Sequence, residues 1–407
     1  MKNINKKNTN KKKVVIIAVL SLIIIYLLFG VYRIKRWKAD RWIVTYIKRE
    51  LAEKENVEEN KDRHIIFTFV DHYEPGYKEK EAIEKHKKWM ALYKKAIKNH
   101  HDSYGNSVKY TWYYPYDQHI DKILISLTKA VYDGLGEVEM HWHHPKSDNQ
   151  KFPGELKKAI TWYNQYGALL VCGSKVETRF SFIHGNWALD NSLNGKLCGV
   201  SREIEYLYAQ GVYADLTFST IGTDAQPTKR INSIYYINED ERSKSYNDGP
   251  LVEKGKIVNN KMMSIQGPMS IDFIEGFRLE YGALETYAKP SKKRIDKWVD
   301  ANIHVKDKPE WVFVKLYSHG IQSSVIMKEY FGKMLGDIEQ YAKGKKYKLH
   351  YMTAREMYNV IKAAEQGKEG DPEKYRNLVI SKPCNKYFTT ETPVKIVGFE
   401  DDKVIIQ

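Results

Sequence analysis

The chain predicts an α/β fold: a distorted (β/α)7-8 barrel behind an N-terminal transmembrane helix, with a small C-terminal β-hairpin extension. Continuous apolar runs rich in β-branched and aromatic residues, such as His64-Ile65-Ile66-Phe67-Thr68-Phe69-Val70, fit strands buried on both faces. Several such runs lead through a polar break into residues of helical periodicity. Seven or eight of these units in about 300 residues favour a closed barrel over an open sheet.

The first element is Val14 to Tyr32, an uncharged apolar run preceded by Lys11, Lys12 and Lys13. At ~1.5 Å per residue it spans roughly 28 Å, close to the hydrocarbon thickness of a bilayer. It ends in Leu-Phe-Gly-Val-Tyr-Arg with no small-residue cleavage pattern, so an uncleaved signal anchor is expected. Basic residues flank both ends, and the preferred topology puts the body outside the cytoplasm. Residues 1–13 form a basic tail, 14–32 the anchor, 33–60 a juxtamembrane stalk, 61–365 the barrel and 366–407 a C-terminal extension.

Past the anchor, residues 78–99 read as an amphipathic helix with Ala82, Trp89, Leu92, Tyr93, Ala96 and Ile97 on its apolar side. Val108-Lys109-Tyr110-Thr111-Trp112-Tyr113 precedes a helix around 118–134, and a strand over 137–144 precedes one around 154–166. Further strand-like runs lie near 180–184, 213–219, 231–237, 262–266 and 311–317. Tyr347-Lys348-Leu349-His350-Tyr351-Met352 and a helix from Thr353 close the barrel. Val394 to Phe399 and Lys403 to Ile406 flank an acidic turn, as in a hairpin.

The net charge of +15 does not indicate a nucleic-acid binder. Residues 1–49 hold thirteen Lys or Arg against one Asp, so the excess sits around the anchor and the body is nearly neutral. Cys172, Cys198 and Cys384 are odd in number without metal-type spacing; no disulfide framework is expected, and Cys172 reads as a buried strand residue.

Four polar clusters follow apolar strands, where parallel α/β proteins collect functional groups. They are Asp71-His72-Tyr73-Glu74, His141-Trp142-His143-His144, His184-Gly185-Asn186-Trp187 and Tyr317-Ser318-His319-Gly320. Imidazoles at several strand ends can converge on a divalent metal. His72 either pairs locally or joins them. Trp187 offers a flat face for a sugar ring. Asp190 and Asp215 are loop or cap carboxylates, or acid–base groups; Lys315 points outward or pairs with a site carboxylate.

These motifs resemble the polysaccharide deacetylase superfamily, a glycoside hydrolase/deacetylase-type barrel. Thr68-Phe69-Val70-Asp71 is similar to its first motif, Glu137 to Pro145 to its histidine motif, and Val312 to His319 to its last. The resemblance covers residues 61–365. It implies removal of acetyl groups from an extracytoplasmic polysaccharide or glycan by a membrane-anchored hydrolase using a divalent metal, zinc. By position, Asp71, His141 and His144 would hold the metal, with His143 an alternative to His144. His319 would be the general acid. His184, Asn186 and Trp187 would bind substrate. Val70 stands where the family has its base aspartate, so the base would come from Glu74, Asp190 or Asp215. A glycoside hydrolase on the same barrel, or a carbohydrate-binding or assembly protein without activity, are the alternatives.

Overall fold

The structure is a computed structural model; it describes residues 2–52, 57–58, 61–272, 278–384, 396–400 and 403–406. In chain order the first elements are α1 (Lys2–Arg36), α2 (Ile43–Leu51), β1 (His64–His72), α3 (Glu79–Ile97), β2 (Tyr110–Pro115), α4 (Asp121–Tyr132), β3 (Gly136–Trp142) and α5 (Phe152–Gln165). Next come β4 (Leu170–Cys172), β5 (Val176–Thr178), β6 (Phe180–His184), α6 (Glu203–Ala209), β7 (Val212–Asp215), β8 (Ile234–Tyr236), β9 (Met263–Ile265), β10 (Ser270–Asp272) and β11 (Arg278–Glu280). The last are α7 (Lys292–Asp300), β12 (Trp311–Ser318), α8 (Gly332–Lys345), β13 (Lys348–Tyr351), α9 (Ala354–Glu365), β14 (Ile396–Glu400) and β15 (Lys403–Ile406).

Nine strands form one sheet in the order β12-β1-β2-β3-β6-β7-β9-β8, with β13 also paired to β1. Every pairing is parallel except β8 with β9. Each of the nine strand-like runs read from the sequence overlaps one of these strands. The closed barrel is not found: among the described residues, no pairing joins β8 back to β12.

The two faces of the sheet are sealed differently. One face packs on α3 to α8, with Ile65, Phe67 and Phe69 of β1 meeting Trp89 and Tyr93 of α3 and Leu335 of α8. On the other face, Ile66 and Val70 of β1 join Phe313 and Tyr317 of β12 and Met357, Val360 and Ile361 of α9. All twelve residues of α9 are buried, and the helix packs on this second face of the sheet. Its start is fixed by a capping box, Thr353 with Glu356.

Lys11–Arg36 of α1 is long and apolar enough to cross a membrane and is almost wholly exposed. The segment after it does not stand off as a spacer. Trp37, Ala39, Trp42 and Tyr46 pack against Ile231, Met269 and Ile271. Arg49 donates to the Ala301 carbonyl at 2.6 Å. Trp37 and Trp42 thus line a small core.

Cys172 and Cys384 form a disulfide, contrary to the expectation from their number. They are 212 residues apart, and proximity arises because Cys384 runs beside β4, its N–H bonded to the Leu170 carbonyl. Strands β14 and β15 pair antiparallel.

Candidate functional site

Because the strands are parallel, the C-terminal ends of β1, β3, β6 and β12 open on one edge of the sheet. Register aligns Asp71 with Ser318, His141 with Ile183, and Trp142 with His184. Side chains alternate between faces with period two. His72 therefore shares the face of Val70, and Asp71 the face of Phe69. His141 and His143 lie opposite Met140 and Trp142, which belong to the helix-facing core. His319 follows Tyr317 by two and shares its face.

This parity assembles a cluster around Glu74. Its Oε1 lies 3.1 Å from His141 Nε2, 3.7 Å from His143 Nε2 and 4.0 Å from His319 Nε2. Gln322 donates to Oε2 at 2.8 Å. The His72 ring sits 4.8 Å from that of His141 and 4.6 Å from that of His319, centroid to centroid. Donor atoms of His72, Glu74 and His141 all lie within 4.8 Å of one another.

The imidazoles are oriented from behind. His141 Nδ1 lies 2.7 Å from the Ile183 carbonyl, which only accepts, so that nitrogen carries the proton. Nε2 then turns a lone pair toward Glu74. His143 Nδ1 lies 3.1 Å from Asp117 Oδ1, which also accepts the His143 backbone N–H. His319 Nδ1 lies 2.8 Å from Glu285 Oε1, which accepts the His319 backbone N–H at 2.7 Å. Two glycines allow the close fit. A Cβ on Gly185 would lie 2.2 Å from the His143 ring, and one on Gly320 would lie 2.4 Å from Asp71 Oδ2.

Electrostatics divide these groups. Burial, reinforced by the neighbouring His319 and His141, holds His72 far below the ordinary histidine range. Burial also lowers His141, with Glu74 opposing. Against burial, the hydrogen bond and charge of Asp117 raise His143, and those of Glu285 raise His319. Glu74 is held below its usual value despite burial, by His141 first and then by His143 and His319 around it. Neutral nitrogen donors and an ionised carboxylate are what a zinc-type cation takes, so the residues fit such an ion.

Of the expected site residues, Glu74, His141 and His319 come together here, with Trp187 beside them. The Trp187 ring is 6.0 Å from His72 and 6.2 Å from His319. Asp71 and His144 do not join His141 in a group. Asp71 faces the helix side, where Oδ1 accepts the Gly320 N–H at 2.6 Å, and burial pushes its carboxyl up to about 7. His144 packs on Phe152 and His184 behind the sheet. His184 points the same way, and Asn186 is exposed on the surface.

Asp190 accepts from the Ser245 N–H and hydroxyl at 2.7 and 2.6 Å, a loop-fixing role. Asp215 accepts from the Thr217 N–H and Ser264 hydroxyl, with Lys315 as its cation. Lys315 is buried and donates to the carbonyls of Leu216 and Phe218.

Asp117, Glu285 and Gln322 were missed. Asp117 follows β2 directly and is another strand-end carboxylate, so it was findable. Glu285 lies in a stretch without strand or helix periodicity, and nothing local marks it. Beside the cluster an open cleft of ≈ 700 Å³ is lined by Glu74, Tyr77, Lys85, Gln118, His143 and Gln322, among others.

No family model matches the chain, and no curated protein matches it at a significant level. Among solved structures, it is similar to the crystal structure of a protein from Parabacteroides distasonis named, by inference, a glycoside hydrolase/deacetylase. The identity is 10% and the TM-score 0.34, over 72% of this chain and 69% of that one. A likeness at this level indicates at most a distant relationship.

Proposed function

We propose that the chain is a membrane-anchored, metal-dependent hydrolase that removes acetyl groups from a polysaccharide outside the cytoplasm. The observation that carries this reading is the Glu74 carboxylate facing the proton-free nitrogen of His141, with His72 beside them. With Nδ1 donating to Ile183, a neutral His141 presents an acceptor to Glu74 at 3.1 Å, an arrangement that a metal cation or a second ring proton relieves. His72, Glu74 and His141 would hold the ion, and zinc suits two imidazoles and a carboxylate. A bound divalent ion there supplies a Lewis acid for the acetyl carbonyl and lowers the pKa of water.

The chain's own groups supply the rest. His319, whose pKa Glu285 raises against burial, can hold a proton at Nε2 for a leaving amine or alcohol. His143, bound to Asp117 through Nδ1 and 3.7 Å from Glu74 through Nε2, can in its neutral form take the proton of an attacking water at Nε2. Trp187 offers an apolar face to a sugar ring, and the polar cleft gives a glycan room. The Cys172–Cys384 disulfide fits a body on the oxidising side of the membrane, to which α1 would anchor it.

Glycosidic cleavage is less well served. It needs two free carboxylates about 5–9.5 Å apart across the bond. Among the described residues, Glu74 is the one carboxylate facing the centre of the cluster, while Asp117 and Glu285 are each engaged by a histidine.

The test uses the full-length chain in detergent with acetylated glycans, assaying acetate and reducing ends. Acetate release that chelator abolishes and zinc restores is expected. Chelator-insensitive release of reducing ends would establish a glycoside hydrolase instead. Glycan binding without turnover would leave a binding or assembly protein.

A further inference from the structure

Behind the sheet, on the helix-facing side, lies a second constellation that the proposed activity does not use. His144 follows β3, His184 ends β6, Glu203 opens α6, and Cys198 lies in the loop between β6 and α6. Their exposures are 4, 0, 0 and 0% for His144, His184, Cys198 and Glu203. One donor atom from each lies within 4.8 Å of all the others. Glu203 Oε1 is 3.0 Å from His144 Nε2 and 3.5 Å from His184 Nε2, and Oε2 is 3.5 Å from Cys198 Sγ.

The proton inventory is short. His184 Nδ1 lies 2.5 Å from the Gly185 carbonyl and donates to it. Nε2 therefore carries a lone pair aimed into the cluster, and this buried atom has no hydrogen-bond partner. Its neighbours are the Glu203 carboxylate, which accepts the Asp190 N–H at 2.6 Å, and the Cys198 thiol, which accepts the Val200 N–H at 3.5 Å and directs its own proton to Glu203. His184 Nε2 is thus a buried acceptor that no N–H, O–H or S–H reaches, which is costly unless a cation lies against it.

We propose that His144, His184, Cys198 and Glu203 form a structural zinc site, closed to water and distinct from the cluster at the strand ends. Two imidazoles, one thiolate and one carboxylate make a four-donor set of the kind that tetrahedral zinc takes, with no position left open. An N–H donated to the sulfur is the usual outer support of a metal thiolate. The ion fastens the ends of β3 and β6 to the loop leading into α6. That loop needs a tie: between 186 and 197, six non-glycine residues (Asn186, Trp187, Asp190, Asn191, Asn194 and Leu197) have left-handed backbone. The tie also fixes His143 and Trp187, each adjacent to this scaffold.

The experiment compares zinc content in the full-length chain, His141→Ala, Cys198→Ser and His184→Gln, purified in detergent under zinc-replete conditions. His141→Ala disrupts the strand-end cluster alone. It should keep one zinc per chain, whereas Cys198→Ser and His184→Gln should lose that zinc. Cobalt-substituted His141→Ala should show a thiolate-to-cobalt charge-transfer band. Folded His141→Ala that binds no zinc, or a cobalt form without the band, would overturn the site and leave a proton-sharing network. If Cys198→Ser fails to fold, the cobalt spectrum of His141→Ala decides alone. None of these readings depends on hydrolytic activity, so this site and the proposed function fail separately.

Discussion

His141 Nε2 stands 3.1 Å from Glu74 Oε1 while its Nδ1 is committed to the Ile183 carbonyl 2.7 Å away. The pair is thus a lone pair facing a carboxylate, joined by His72 and flanked by two histidines whose own carboxylates stand behind them. Glu74→Gln and His141→Ala should each lower metal affinity at the strand-end cluster and cut acetate release by about 10²–10⁴-fold. Titrating metal into chelator-treated protein checks the first effect, and kcat the second. Unchanged turnover in both variants would remove this cluster from the chemistry.

Glu285 sets the pH at which His319 gives up its proton. Burial lowers His319, and Glu285 more than offsets it, so the folded value is raised. A general acid must be protonated, so activity should fall as pH rises through that value. Glu285→Gln should move this alkaline limb to lower pH and cost about 10–100-fold, as loss of an orienting partner does. Full pH–kcat profiles of both proteins give the comparison. A limb that stays in place would mean that His319 is not the acid.

Asp71 offers a contrast. Its buried carboxylate accepts the Gly320 N–H on the helix side, so Asp71→Asn should leave metal content at the strand-end cluster unchanged while lowering Tm by a few degrees. Gly320→Ala should be worse, because its Cβ would meet Asp71 Oδ2 at 2.4 Å. Metal analysis and thermal melts separate the two roles. Metal lost from a folded Asp71→Asn variant would return Asp71 to the ligand set.

The disulfide closes a loop of over two hundred residues. Removing such a link typically costs about 2–5 kcal/mol. Cys172→Ser/Cys384→Ser should therefore melt lower than the oxidised chain. It should also be cut faster by protease near 366–384, the segment that the disulfide holds against β4. Equal melting and cleavage would show that the hydrogen bonds of this segment suffice.

Glu373 holds the same segment through charge. Burial raises its pKa, but bonds from His350 and Arg376 outweigh this and bring it down to about 2. A depressed carboxylate stabilises above its unfolded value, near 4.5, and that contribution fades as pH falls toward 2. Glu373→Gln should destabilise by about 2 kcal/mol at neutral pH and progressively less in acid. Denaturant melts at neutral pH and near pH 3 provide the measure.

The sequence by itself determined the strands, the long apolar N-terminal helix and the strand ends where the polar clusters lie. Apolar runs, polar breaks and helical periodicity are local signals, and they located all nine strands of the sheet and placed Glu74, His141, His319 and Trp187 at strand ends. Three matters were left to the tertiary structure. Facing was one: Asp71 and His72 are neighbours in sequence, yet period two sends them to opposite sides of β1, so only His72 meets His141. His143 and His144 divide in the same way. Closure was another, since whether the last strand returns to pair with the first depends on the whole chain, and among the described residues no pairing joins β8 to β12. Long-range partners were the third. Glu285 behind His319, Cys384 beside Cys172, and Cys198 and Glu203 beside His144 come from distant stretches, and no local pattern encodes contacts made by the folding of the whole chain.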